Sequence, residues 1–165
     1  ELLIEYKKFI LFLQNQLEKG NYNYIQNINF KNYIFDELEN NDNFKEIGIL
    51  YNYFGEIILE IGNYEISIIF LEKALIINQK NYEKNLKEVS ITLTNIGNYY
   101  LIKGDYKKSL NLLRESEKIN GKLYFINFQE FPKTMLLMGL LYKVCGNYNE
   151  SIVYFQKLDN IENTL

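Results

Sequence analysis

The sequence predicts an all-α protein built as a helical repeat array, on three observations. Glycine followed by Asn or Asp and then Tyr occurs at Gly20-Asn21-Tyr22, Gly62-Asn63-Tyr64, Gly104-Asp105-Tyr106 and Gly146-Asn147-Tyr148, always 42 residues apart. Three of the four carry a second glycine seven residues earlier, at Gly55, Gly97 and Gly139. Apolar residues recur at helical spacing on both sides of the motif, as Leu93, Ile96, Tyr100 and Leu101 before it and Tyr106, Leu110 and Leu113 after it. A fixed period of this size along the whole chain marks stacked supersecondary units, and the apolar spacing makes each unit a helix pair.

The units fall at about 1–42, 43–80, 81–122 and 123–165, within a single domain. Gly62, Gly104 and Gly146 can take the left-handed conformation that ends a first helix. The Asn or Asp that follows accepts from the free amides opening the second helix. The earlier glycines, Gly55, Gly97 and Gly139, sit inside the first helices, where each costs about 1 kcal/mol relative to Ala and is therefore expected to serve close packing. Ser67, Ser109 and Ser151, three residues after Tyr64, Tyr106 and Tyr148, are expected to lie opposite them. The first unit is divergent, with Leu13 in the glycine position and Ile25 in the small one. Ile25, Ile28, Phe35 and Leu38 still keep an approximate helical spacing through an Asn-rich stretch, which reads as a divergent helix followed by a loop at Asn40-Asn41-Asp42-Asn43.

These residues resemble the tetratricopeptide repeat family, best in the third unit from Leu93 to Leu110. Phe54, Ile96 and Met138 match its apolar site before the glycine, Tyr100 and Tyr142 its aromatic site, Leu71, Leu113 and Phe155 its large apolar site in the second helix, and Ala74 and Ser116 its small site. The family's common period is 34 residues, so the longer repeat here resembles the branch seen in kinesin light chains, cortical polarity adaptors and bacterial peptide-sensing regulators. The resemblance implies an α-solenoid of about four antiparallel helix pairs forming a right-handed superhelical arc.

Composition narrows the function. The chain has no histidine, which removes histidine-based acid/base, nucleophilic and metal chemistry. No Gly-Lys-Ser/Thr follows the paired glycines, so there is no phosphate loop. Asp36, Glu37, Glu39 and Asp42 lack the spacing of a calcium loop. No catalysis, cofactor or metal is expected. With a formal charge of −3 and Lys7-Lys8 and Lys107-Lys108 as the only adjacent lysines, no basic face forms and nucleic acid is not an expected partner. No apolar run is long enough for membrane insertion, and the single Cys145, read as a small buried hydrophobe, fits a reducing, cytoplasmic location. The first residue is Glu1 and helical pattern begins at once, so the chain reads as a piece of a larger protein. Its 23 Asn against one Arg and one Ala reflect a composition bias more than a function.

The resemblance implies that first helices line a concave, partner-binding face. Its positions are Ile49, Asn52, Tyr53, Glu56 and Glu60 in the second unit, Ile91, Thr94, Asn95, Asn98 and Ile102 in the third, and Lys133, Leu136, Leu137, Leu140 and Val144 in the fourth. Asn52, Asn95 and Asn98 are expected to hold the main chain of an extended peptide, and Leu136, Leu137 and Leu140 to bury its side chains. The family's carboxylate clamp would fall on Asn52, Glu56, Asn95, Lys133 and Leu137. Only Asn95 and Lys133 agree with it, and Glu56 would repel a carboxylate. The expected function is thus a non-catalytic scaffold for a protein or peptide. The alternatives are a peptide-sensing domain of a larger enzyme or transcription regulator, and a structural subunit of a multi-subunit assembly.

Overall fold

Four short left-handed turns set the architecture. In a computed structural model describing residues 2–29, 44–80, 85–123 and 131–162, Gly20, Gly62, Gly104 and Gly146 have φ between 71° and 85°. Around Gly62 the turn is a Schellman motif: Gly62 N–H donates to Leu59 O at 3.0 Å and Asn63 N–H to Ile58 O at 3.1 Å. The same two bonds recur at the other three glycines. Asn63 then accepts from Ile66 N–H at 3.4 Å, and Asp105 from Lys108 N–H at 3.1 Å. One residue thus closes the first helix with its amide and opens the next with its side chain, which makes the hairpin so tight.

The described residues contain eight helices and no strand. They are α1 (Leu2–Glu18), α2 (Tyr22–Gln26), α3 (Phe44–Glu60), α4 (Tyr64–Gln79), α5 (Leu86–Ile102), α6 (Tyr106–Leu123), α7 (Phe131–Val144) and α8 (Tyr148–Glu162). They fall into two compact units, Glu1–Asn85 and Leu86–Leu165.

In the pairs α3/α4, α5/α6 and α7/α8 the glycine inside the first helix receives the second helix directly. A Cβ on Gly55 would stand 2.6 Å from the Leu71 side chain, one on Gly97 2.8 Å from Leu113, and one on Gly139 2.6 Å from the Phe155 ring. Beside each contact a serine hydroxyl donates to the glycine carbonyl: Ser67 to Gly55 at 2.7 Å, Ser109 to Gly97 and Ser151 to Gly139 at 2.8 Å. The serine's back-bond replaces volume with a hydrogen bond where a larger residue would force the helices apart.

The first unit is packed around aromatic rings. Phe70 lies 5.7 Å from Tyr51 and 5.6 Å from Phe54, and Phe9 of α1 lies 6.1 Å from Phe54. Leu13 and Ile25, which replace the small residues of the other pairs, are fully buried here. Their bulk belongs to a different geometry, because α2 has five residues where α4, α6 and α8 have 15 to 18. The expected longer helix through Ile28 is corrected: α2 stops at Gln26. Asn27 donates its side-chain amide to Asn23 O at 2.8 Å, competing for the carbonyl that the backbone N–H would use in a continued helix. Phe35, Leu38 and the expected loop at 40–43 lie outside the described residues.

The second unit adds a polar seam to its apolar cluster of Leu113, Leu137, Met138 and Leu141. Ser90 and Thr94 of α5, Ser116 and Asn120 of α6, and Thr134 of α7 are all buried and joined to one another. Ser116 shares hydrogen bonds with Ser90 at 2.8 Å and Thr94 at 2.7 Å, and Thr94 shares one with Thr134 at 3.0 Å. Ser90 donates to Asn120 Oδ1 at 2.5 Å, while Asn120 Nδ2 donates to Thr134 Oγ1 at 3.1 Å. Buried hydroxyls are tolerated when each is satisfied, and a closed network of short side chains provides that.

Candidate functional site on the first helices

The repeat register identifies the site residues of α1 that the divergence of the first unit conceals. Counting back 42 residues from Ile49, Asn52, Tyr53 and Glu56 gives Lys7, Ile10, Leu11 and Gln14. Those four line a pocket of about 280 Å³ whose other wall is Ile49, Leu50 and Tyr53 of α3. The side chains sit there because Ile10 and Leu50 belong to the core below, whereas Leu11 and Tyr53, one residue off the core stripe, remain 65% and 40% exposed. The Lys7 stem can follow this apolar wall while its ammonium stays in water. The pocket is therefore an apolar slot with one cation and one amide at its edge.

Of the nominated residues in the first unit, Tyr53 lines the pocket and Glu56 follows it by one helical turn, partly exposed. Asn52 is 5% exposed, turned into the fold instead of toward a peptide. In the second unit Asn95 is 1% exposed, and its Oδ1 accepts from the Lys133 ammonium at 2.8 Å. The reading of Asn52 and Asn95 as a surface for peptide main chain is corrected accordingly: adjacent helices cover both, and a partner would have to displace the lysine to reach Asn95. Asn98 is partly exposed and Ile102 exposed. The leucine face is corrected at one position. Leu136 and Leu140 are exposed, but Leu137 is only 6% exposed and packs with Leu113, Met138 and Leu141. It lies one turn from buried Thr134 and Leu141, so it shares their inward face.

Gly55, Gly97 and Gly139 make the close contacts described above, and Gly62, Gly104 and Gly146 the left-handed turns. Tyr64, Tyr106 and Tyr148 open α4, α6 and α8. Cys145, expected to be buried, is exposed, because α7 ends at Val144 and the cysteine falls in the turn. Among the described residues no group of three His, Cys, Asp or Glu is placed to hold a metal ion, and no helix is long and apolar enough to cross a membrane. Sequence reasoning missed Lys7, Ile10, Leu11 and Gln14. The signal that finds them is the Gly20-Asn21-Tyr22 turn, which fixes the register of the first unit despite Leu13.

A family model for the tetratricopeptide repeat matches residues 46–121, and a second tetratricopeptide repeat model matches residues 132–164. A search of curated proteins finds no match. Tetratricopeptide repeats generally mediate protein–protein interactions, and proteins built from them are typically non-catalytic modules. With six of its helices under those matches, and with shared caps and glycine contacts in each of the three pairs concerned, the chain belongs to the tetratricopeptide repeat family.

Proposed function

We propose that the chain is a non-catalytic interaction scaffold that binds a partner segment on its first-helix face, with the α1/α3 pocket receiving one of the partner's side chains. The observation that carries this reading is the coincidence between the pocket wall and the repeat register: its α1 residues stand 42 positions before the nominated face of α3. Clefts for small molecules run from about 300 Å³ upward, so a slot of about 280 Å³ suits a single large side chain better than a cofactor. Burying such an anchor supplies affinity at about 25 cal/mol per Å² of apolar area. A cytoplasmic location belongs to the same proposal and rests on the lone cysteine and the absence of a membrane-length helix among the described residues.

The test compares proteins recovered by the parent chain, by Leu11→Glu with Tyr53→Glu, and by Ile76→Glu. Ile76 is an exposed apolar residue of the second helix α4 and serves as a control. Loss of partners with the first variant alone is the expected result. Equal recovery by all three would remove the first-helix face as the binding site. A second reading, a structural subunit held in an assembly, draws on the exposed Tyr148, Ile152 and Val153 of α8. It predicts partner loss when Ile152, not Leu11, is replaced by Glu.

A further inference from the structure

The charges around the α1/α3 pocket are unevenly placed. Lys7 lines it, and it stands one turn before Ile10 and Leu11 on α1. Beyond Leu11 the same stripe continues with Gln14 and Glu18, and on α3 it continues beyond Tyr53 with Glu56 and Glu60. Gln14 and Glu56 are partly exposed, and Glu18 and Glu60 are exposed. Glu46, three residues before Ile49, is the carboxylate of α3 toward the Lys7 end, and it does not line the pocket, whereas Lys7 does. One end of the slot is thus edged by a cation, and the other runs toward three carboxylates.

We propose that the segment taken by this pocket is dipolar: a large apolar anchor with a carboxylate on the side that meets Lys7 and a Lys or Arg on the side that meets Glu56 and Glu60. The proposal rests on the reading of the first-helix face as the binding face, and it adds the chemistry and the polarity of the partner. The anchor supplies the affinity, because the slot wall is Ile10, Leu11, Ile49, Leu50 and Tyr53. The flanking charges supply orientation, because a segment laid in the opposite sense would place its acid against Glu56 and its base against Lys7. A uniformly acidic segment is disfavoured at the glutamate end, and a uniformly basic one at the Lys7 end.

The test selects a random dodecapeptide display library on three proteins: the parent chain, Lys7→Glu and Leu11→Glu. Both substituted side chains are exposed, and far-UV circular dichroism melts confirm that each variant folds. The parent is expected to enrich peptides in which Leu, Ile, Phe or Trp is flanked by an acid on one side and a base on the other. Lys7→Glu is expected to keep the anchor and exchange the acid for a base. A synthetic peptide of the parental consensus should bind Lys7→Glu roughly three- to tenfold more weakly, with the difference shrinking as salt is raised. Leu11→Glu should enrich none of these peptides.

An unchanged charge pattern on Lys7→Glu, or no charge bias beside the anchor on the parent, overturns the dipolar proposal while the binding face stands. Peptides that bind Leu11→Glu as well as the parent, or a library that yields no binder at all, overturn the face and the proposal together. Sedimentation of the parent alone covers the remaining occupant. A dimer that Leu11→Glu dissociates would assign the pocket to a second copy of the chain and overturn the proposal.

Discussion

Gly97 and Leu113 meet so closely that a Cβ on the glycine would stand 2.8 Å from both Cγ and Cδ2 of the leucine. Because Cγ is a branch point of a fully buried side chain, the leucine cannot simply swing away. Gly97→Leu is expected to destabilise by about 1–3 kcal/mol through overpacking, more than the roughly 1 kcal/mol that leaving glycine gains in a helix. Gly121 provides the opposite case on α6, since a Cβ there meets nothing within 4 Å. Gly121→Ala should stabilise by about 0.5–1 kcal/mol. Urea unfolding of both variants checks the pair, and a Gly97→Leu midpoint equal to the parent's would remove the close-packing role.

Gly104 isolates the backbone contribution. Its φ is 80° and a Cβ would touch nothing within 4 Å, so substitution there adds strain without a clash. Gly104→Ala should cost about 1–2 kcal/mol, the penalty of the left-handed region for an L-residue, and Gly104→Asn less. Thermal unfolding that ranks Gly above Asn above Ala would support this origin. A ranking with Ala equal to Gly would show that the turn relaxes.

Thr134 is the α7 member of the buried hydroxyl network, within 3.1 Å of Asn120 Nδ2 and 3.0 Å of Thr94 Oγ1. Valine keeps its shape and removes the hydroxyl, leaving the Asn120 amide without that acceptor. Thr134→Val is expected to lower stability by about 1–3 kcal/mol, the cost of an unsatisfied buried donor. The readout is the denaturant midpoint, and a shift below about 0.3 kcal/mol would mean that the network re-pairs without this residue.

The features legible in the sequence were those that obey local backbone chemistry or the 42-residue register. Gly62, Asn63 and Tyr64 announce a turn and a helix start whatever surrounds them, and Gly97 signals a close contact because nothing else excuses it in a helix. The α1 half of the pocket was obscured because Leu13 breaks the glycine pattern, although Gly20 keeps the count. The burial of Asn52 and Asn95 was not legible, since helical period places a residue on a stripe but does not say which neighbouring helix covers it. The Ser90, Thr94, Ser116, Asn120 and Thr134 network joins positions up to 40 residues apart and has no local signature. Leu137 was misplaced for a related reason: on a helix apolar nearly all round, composition cannot separate the inward leucine from the outward ones.

The phenol of Tyr154 carries the pH dependence of the second unit. It donates to the Glu117 carboxylate at 3.0 and 3.3 Å, stacks on Tyr142 with ring centres 5.5 Å apart, and lies 4.5 Å beneath the Lys157 ammonium. Burial pushes its pKa above the ordinary tyrosine range, and the negative Glu117 and the hydrogen bond to it push the same way. The folded state therefore holds this proton more tightly than the unfolded chain. The stabilisation is fully present below the unfolded pKa of about 10 and is lost as pH rises from there through the folded value. Tyr154→Phe should cost about 1 kcal/mol at neutral pH, near the middle of the range for one hydrogen bond because the group is only partly buried. Other lysines and tyrosines also titrate above pH 10, so the decisive quantity is the difference between parent and variant. That difference should stay constant from pH 7 to 9 and narrow by pH 11, measured by urea unfolding at each pH. A constant difference across the whole range would show that the Tyr154–Glu117 contact does not favour the neutral phenol.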